Sequence, residues 1–167
     1  MQALKRGAIF FVTGLALVVV AQSALAGGPY QYFAVTPCRV IDTRNANGPT
    51  GGPALVGQAV GRAFPLAGIC GVPTTAKAVS LNATTVATTG SGNLRLYPSD
   101  LPTMPLVATM NFNLGEPAIA NGALVPLAAY NPSTPGDPMT NQSFSAFLAI
   151  QTGFTAHMVV DVTGYFQ

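Results

Sequence analysis

Apolar and polar positions alternate with a period of two along much of the chain. Within residues 76–88, Val79, Leu81, Ala83 and Thr85 fall on one face and Ser80, Asn82 and Thr84 on the other. Successive side chains of a β-strand point to opposite sides, so one apolar face means a half-buried strand. Residues 143–151 present Phe144, Ala146, Leu148 and Ile150 in the same way, and residues 155–166 read as a final strand after a turn at Gly153. Leu106, Ala108, Met110, Phe112 and Leu114 also alternate and predict the inward face of a further strand, with Asn111 and Asn113 facing outward. Helical spacing is hard to find beyond residue 27.

The remaining segments are shorter. Residues 31–35 and 38–43 predict a first strand region broken at Pro37, which cannot donate to a ladder and so belongs at an edge or bulge. Residues 45–53 are a loop, 60–66 a weaker strand, and 68–73 a turn around Cys70. Gly90-Ser91-Gly92 predicts a hairpin leading into a strand at 93–97, and Asn121-Gly122 predicts a turn before a strand at 123–130. Proline-punctuated loops fill 98–105 and 131–142. Eight or nine short strands with polar connections predict an all-β fold, an antiparallel β-sandwich or jelly roll, in which two sheets bury their apolar faces against each other. A closed barrel is the alternative.

The first 26 residues follow a different pattern. Lys5 and Arg6 precede the apolar run 7–20, and Ala24-Leu25-Ala26 follows. That order is a basic region, a hydrophobic region and a small-residue cleavage site, so residues 1–26 are read as a signal peptide and 27–167 as a single β-sandwich domain. An uncleaved anchor is the alternative, since 7–26 approaches the roughly 20 apolar residues that span a bilayer. Gln22 and Ser23 interrupt the run and no basic cluster follows it, which favours cleavage and a secreted or cell-surface protein.

Removing the leader changes the charge. Arg39, Arg44, Arg62, Lys77 and Arg95 then face Asp42, Asp100, Glu116, Asp137 and Asp161, for a net charge of zero with His157 neutral. A neutral chain with one Lys lacks the clustered basic residues that nucleic acid or an anionic membrane surface requires, so neither is expected as a partner. Near-zero charge also removes repulsion between copies, which favours self-association or pairing with another surface component.

Both cysteines, Cys38 and Cys70, lie in the exported part. In an oxidising compartment such a pair most simply forms one disulfide, contributing roughly 3 kcal/mol through a loop of about 30 residues. Two buried thiols, or half of a metal site, are the competing readings. A spacing of 32 residues and a single His argue against zinc, and no metal or cofactor is expected.

The two ends of the exported chain carry a recognisable pattern: Phe33 and Pro37-Cys38-Arg39-Val40-Ile41-Asp42-Thr43-Arg44 at the start, Asp161-Val162-Thr163-Gly164-Tyr165-Phe166 at the finish. With Cys70-Gly71-Val72-Pro73, residues 76–84, Gly92-Asn93-Leu94, Tyr97-Pro98, Asn111-Phe112 and Ala120-Asn121, the chain resembles, over residues 32–166, a bacterial secreted β domain found alone or appended to extracellular proteins and enzymes. The resemblance brings no catalytic residue set. Physically, such bookends make the first and last strands neighbours, with structural ion pairs among Arg39, Asp42, Arg44 and Asp161, because buried charges have to be paired.

Catalytic chemistry finds few candidates. A hydrolase triad would have only His157 as base, and Asp161, four residues along the same strand, is about 13 Å away at some 3.3 Å per residue. Asp42 on a neighbouring strand is the carboxylate that could reach it. The five acids are scattered, against both paired-carboxylate glycoside cleavage and a calcium loop. Tyr97 and Tyr130 are candidate ligand-facing rings for carbohydrate. The sequence is therefore read as a non-enzymatic interaction or assembly module at or outside the cell surface, with a cell-wall or capsular polysaccharide binding module second and a hydrolase third.

Overall fold

The structure, a computed structural model, describes residues 29–57, 60–129 and 142–167. The predicted signal peptide and Tyr130 lie outside the described residues. Nine strands form: β1 (Tyr32–Asp42), β2 (Leu55–Val56), β3 (Arg62–Pro65), β4 (Ala78–Val86), β5 (Gly92–Pro98), β6 (Met110–Phe112), β7 (Ala118–Pro126), β8 (Ser143–Ala149) and β9 (Thr155–Phe166). They make two antiparallel sheets, ordered β1-β9-β4-β7 and β3-β8-β5-β6, with β2 pairing the start of β9 beyond the end of β1. With β2 as an extension of the first edge, that interleaved order is a jelly roll, which also settles the choice against a closed barrel.

The core lies between the sheets. Val79, Leu81 and Ala83 of β4 and Met158, Val160 and Val162 of β9 face Leu94 of β5 and Phe144, Ala146 and Leu148 of β8. Phe64 and Phe144, opposite each other in the β3–β8 register, are fully buried with ring centroids 6.1 Å apart. The period-two faces expected for 79–85 and 144–148 are buried, while Ile150 is only partly so and Ser143 and Ser145 on the other side of β8 are buried too.

Three local expectations are corrected. Gly90-Ser91-Gly92 does not close a hairpin: β4 and β5 belong to different sheets, so the turn carries the chain across the sandwich and lets both apolar faces meet in the core. Asn121-Gly122 is not a turn but the middle of β7, where Gly122 pairs with Asn82 in an unbroken nine-pair ladder. The Asn121 amide, instead of bonding its own backbone as in a turn, donates to the Thr109 carbonyl at 2.7 Å. Of the alternating run 106–114, only Met110–Phe112 joins a ladder and only Met110 and Phe112 are buried, while Leu106 and Leu114 are exposed. Pro102 and Pro105 remove donors on one side. On the other, Glu116 accepts the Asn113 amide at 2.8 Å and Gly115 takes a left-handed conformation, turning the chain away.

Candidate functional site

Pairing β1 with β9 places the two terminal motifs side by side. Arg39 sits opposite Asp161 and donates to it through Nε at 2.9 Å and Nη2 at 3.1 Å. Asp161 also faces Asn82 across the β4–β9 ladder, so the pair lies on the outer face of the sheet. This hydrogen-bonded contact, and secondarily the carboxylate's charge, raises the Arg39 pKa above its ordinary value. The expected cross-strand ion pair is therefore Arg39–Asp161.

Asp42 and Arg44 form a separate, local pair. Arg44 donates through Nε at 2.8 Å, Nη2 at 2.6 Å and its backbone amide at 3.1 Å, while Arg39 stands 3.9 Å off. The Arg44 side-chain hydrogen bonds hold the Asp42 carboxyl down at about 2 from an ordinary 3.8, outweighing the upward push of burial. A folded pKa below the unfolded one means stabilisation that is complete above pH 3.8 and lost as pH falls through 2. Because Arg44 is half exposed, the contribution is discounted to about 1–2 kcal/mol. Urea unfolding between pH 5 and pH 2 should show stability falling more steeply for the parent than for Asp42→Asn. Equal slopes would remove the pair as a source of stability.

His157 has a hydroxyl for a partner. Thr43 Oγ1 accepts the Met158 amide at 2.8 Å and shares a hydrogen bond of 3.1 Å with His157 Nδ1. Asp42, the carboxylate that sequence reasoning placed within reach, is turned to Arg44 instead. The Thr43–His157 contact reads as a tie between β9 and the residue after β1. Among the described residues no three His, Cys, Asp or Glu side chains cluster in a way that could hold a metal ion. No helix there is long and apolar enough to cross a membrane.

Cys38 and Cys70 are joined as a disulfide, their Cα atoms 5.8 Å apart. The bridge ties β1 to the loop between β3 and β4, where Gly68, Cys70 and Gly71 adopt left-handed conformations. Tyr97 is only 8% exposed and forms the floor of a cleft of about 270 Å³ with Val60, Gly61, Ser99, Leu101 and Ser145. A Cβ on Gly61 would strike its hydroxyl. The ring thus offers no open stacking face. A shallower groove of about 360 Å³ lies on the outer face of the first sheet over Ser80, Asn82, Gly122, Leu124 and Thr163. Its polar groups are mutually engaged, Ser80 with Thr163 at 3.0 Å and Asn82 with Thr84 at 3.4 Å.

The four sheet edges differ sharply. β1 has register shifts on both sides of Cys38, Pro37 and Arg39 within the strand, and the disulfide behind it. β3 is four residues long and begins with Arg62, and β6 is three residues long. β7 has nine residues, no charge and no bulge, and pairs only with β4. The segments before and after β6, and β7 itself, carry the exposed apolar side chains Leu106, Val107, Leu114 and Leu124, at 82%, 77%, 64% and 66% exposure.

No known protein family matches this chain, and no curated protein matches it. Among solved structures, the coat protein dimer of tobacco streak virus covers 84% of this chain and 90% of its own, at 10% identity and a TM-score of 0.35. Likeness at that level bears on neither activity nor partners.

Sequence reasoning missed Arg62. Its guanidinium donates to the carbonyls of Gly48, Gly51, Gly52 and Pro53 at 2.7–3.0 Å and lies 4.6 Å from the centre of the Phe64 ring. Burial lowers its pKa. A lone Arg in a short apolar strand beside a Gly/Pro loop was the available signal, since a planar fork of donors satisfies several loop carbonyls at once.

Proposed function

We propose that this chain is an exported, non-enzymatic interaction or assembly module acting at or outside the bacterial cell surface. One observation carries the reading: large apolar side chains are held in water at Leu106, Val107 and Leu114, on the segments flanking β6, and at Leu124 on the uncharged edge strand β7. Exposed apolar side chains of this size support an interaction surface where they lie together. The near absence of charge in the exported chain supports association between copies, because nothing repels them. Export itself rests on the leader.

The test is the mass of the exported protein by light scattering across a wide concentration range, with and without other surface components of the producing cell. Mass rising with concentration, or a stable complex, is the expected result. A monomer that associates with nothing but is retained on polysaccharide would overturn it in favour of the glycan reading, and a monomer with neither property would overturn both.

A further inference from the structure

We infer that β7 is a homodimer edge: two copies join antiparallel through this strand, about a two-fold axis at Gly122, into one continuous sheet ordered β1-β9-β4-β7-β7-β4-β9-β1. The inference rests on the assembly reading and names its surface.

A strand at a sheet edge presents a row of unpaired amides and carbonyls, and proteins normally block such a row with Lys, Pro, a bulge or brevity. Among the described residues, the backbone of 118–126 bonds only to β4. Nine residues at some 3.4 Å each make an edge of about 30 Å. None of those devices interrupts it: Pro126 stands at its very end, and Lys77, the sole lysine after the predicted leader, precedes the central strand β4.

The occupant follows from the other edges. β1 is bulged and carries Arg39, while β3 and β6 are short, so among the described residues the one long, regular edge that a copy offers is its own β7. Like surfaces meeting about a two-fold close into a dimer, whereas unlike ones would propagate. Centring the axis on Gly122 pairs all nine residues. Ala118 then meets Pro126, Ile119 meets Val125, Ala120 meets Leu124 and Asn121 meets Ala123. Away from the axis, each pair on the outer face sets an alanine against a larger side chain, Pro126 or Leu124, and no charge is brought opposite a charge. Exposed Leu124 lies across from an alanine that leaves room for it, the kind of apolar cross-strand pair that stabilises a ladder.

The geometry gives a direct test on the full-length protein, collected after export. Gly122 points its absent side chain into open space, so a cysteine there fits the fold. At the axis, Gly122→Cys in two copies would have Cα atoms about 4.5–5.5 Å apart, inside the range of roughly 4.4–6.8 Å that a disulfide spans. Ala118→Cys would lie about 27 Å from its counterpart at some 3.4 Å per residue. Non-reducing gels should show covalent dimer for Gly122→Cys and not for Ala118→Cys. Leu124→Lys, on an exposed position, should weaken dimerisation by up to roughly tenfold, because it removes the apolar cross-strand contact with Ala120 at both symmetry-related positions and puts lysine on the edge strand. The parent protein supplies an independent readout: amide exchange in 118–126 should slow as concentration rises, while 32–42 is unchanged. Dimers that neither cross-link through Gly122→Cys nor protect β7 would overturn this interface and leave the assembly reading standing. A monomer at every concentration would overturn the interface outright, and its failure to bind other surface components would remove the assembly reading as well.

Discussion

Removing the Cys38–Cys70 bridge is expected to lower the unfolding free energy by about 3–4 kcal/mol, the loop-closure entropy returned to the unfolded chain by a 32-residue separation. Native contacts should not add much to that figure. The bridge ties the bulged edge strand β1 to the turn at Gly68–Gly71, and neither segment contributes the bulk of the core. Urea unfolding of the oxidised protein against the Cys38→Ala/Cys70→Ala double variant checks it. A difference under about 1 kcal/mol would mean that the unfolded chain is already restrained in this region. Because typical domain stability is only some 5–15 kcal/mol, a loss of the expected size would make folding depend on an oxidising compartment, as the proposed export requires.

Phe144→Ala should cost about 3–5 kcal/mol. The ring is fully buried on β8, the strand between β3 and β5, and packs on Phe64 from the paired position. Truncation removes its transfer free energy and leaves a cavity that two laddered backbones cannot close. The fall in urea midpoint at unchanged slope measures the loss, with exposed Tyr30→Ala, outside every strand, as the comparison, expected within about 0.5 kcal/mol of the parent. A cost for Phe144→Ala below about 1.5 kcal/mol would show that the sandwich can collapse around the gap. Together these two variants separate the part of stability held by a covalent tie from the part held by packing.

Where alternation was strong and the strand central, the sequence could be read directly. Val79, Leu81 and Ala83, and likewise Phe144, Ala146 and Leu148, face the core as their spacing requires, because a pleated strand has only two sides. Strand β9, residues 155–166, has the predicted bounds, and its partner at the other end of the chain is the predicted β1. The four residues expected in ion pairs are all paired, Arg39 with Asp161 across the strands and Asp42 with its neighbour Arg44, two residues away, so the carboxylate that could have served His157 is turned elsewhere. Competition among nearby partners for one carboxylate depends on side-chain geometry that spacing does not contain.

Local signals failed where pairing overruled them. Asn121-Gly122 is a strong turn dipeptide in isolation, yet nine ladder positions with β4 outweigh a preference worth tenths of a kilocalorie, and it stays extended. Leu106 and Leu114 alternate correctly with Met110 and Phe112 but stand in water, because an apolar pattern states which side would be buried and not whether a sheet is there to bury it. That misreading concealed the candidate site, since an edge strand is defined by the neighbour it lacks.

The sequence by itself determined the all-β class, the pair of cysteines able to bridge, and the apolar faces of the central strands, all of which depend on residue type and a period of two. Only the tertiary structure decided that the sheets interleave as a jelly roll, that Tyr97 is a floor rather than a platform, and that β7 is left, among the described residues, as the one long unguarded edge. Those outcomes turn on which strands become neighbours, and hydrogen bonds between backbones carry no residue code from which that choice can be read.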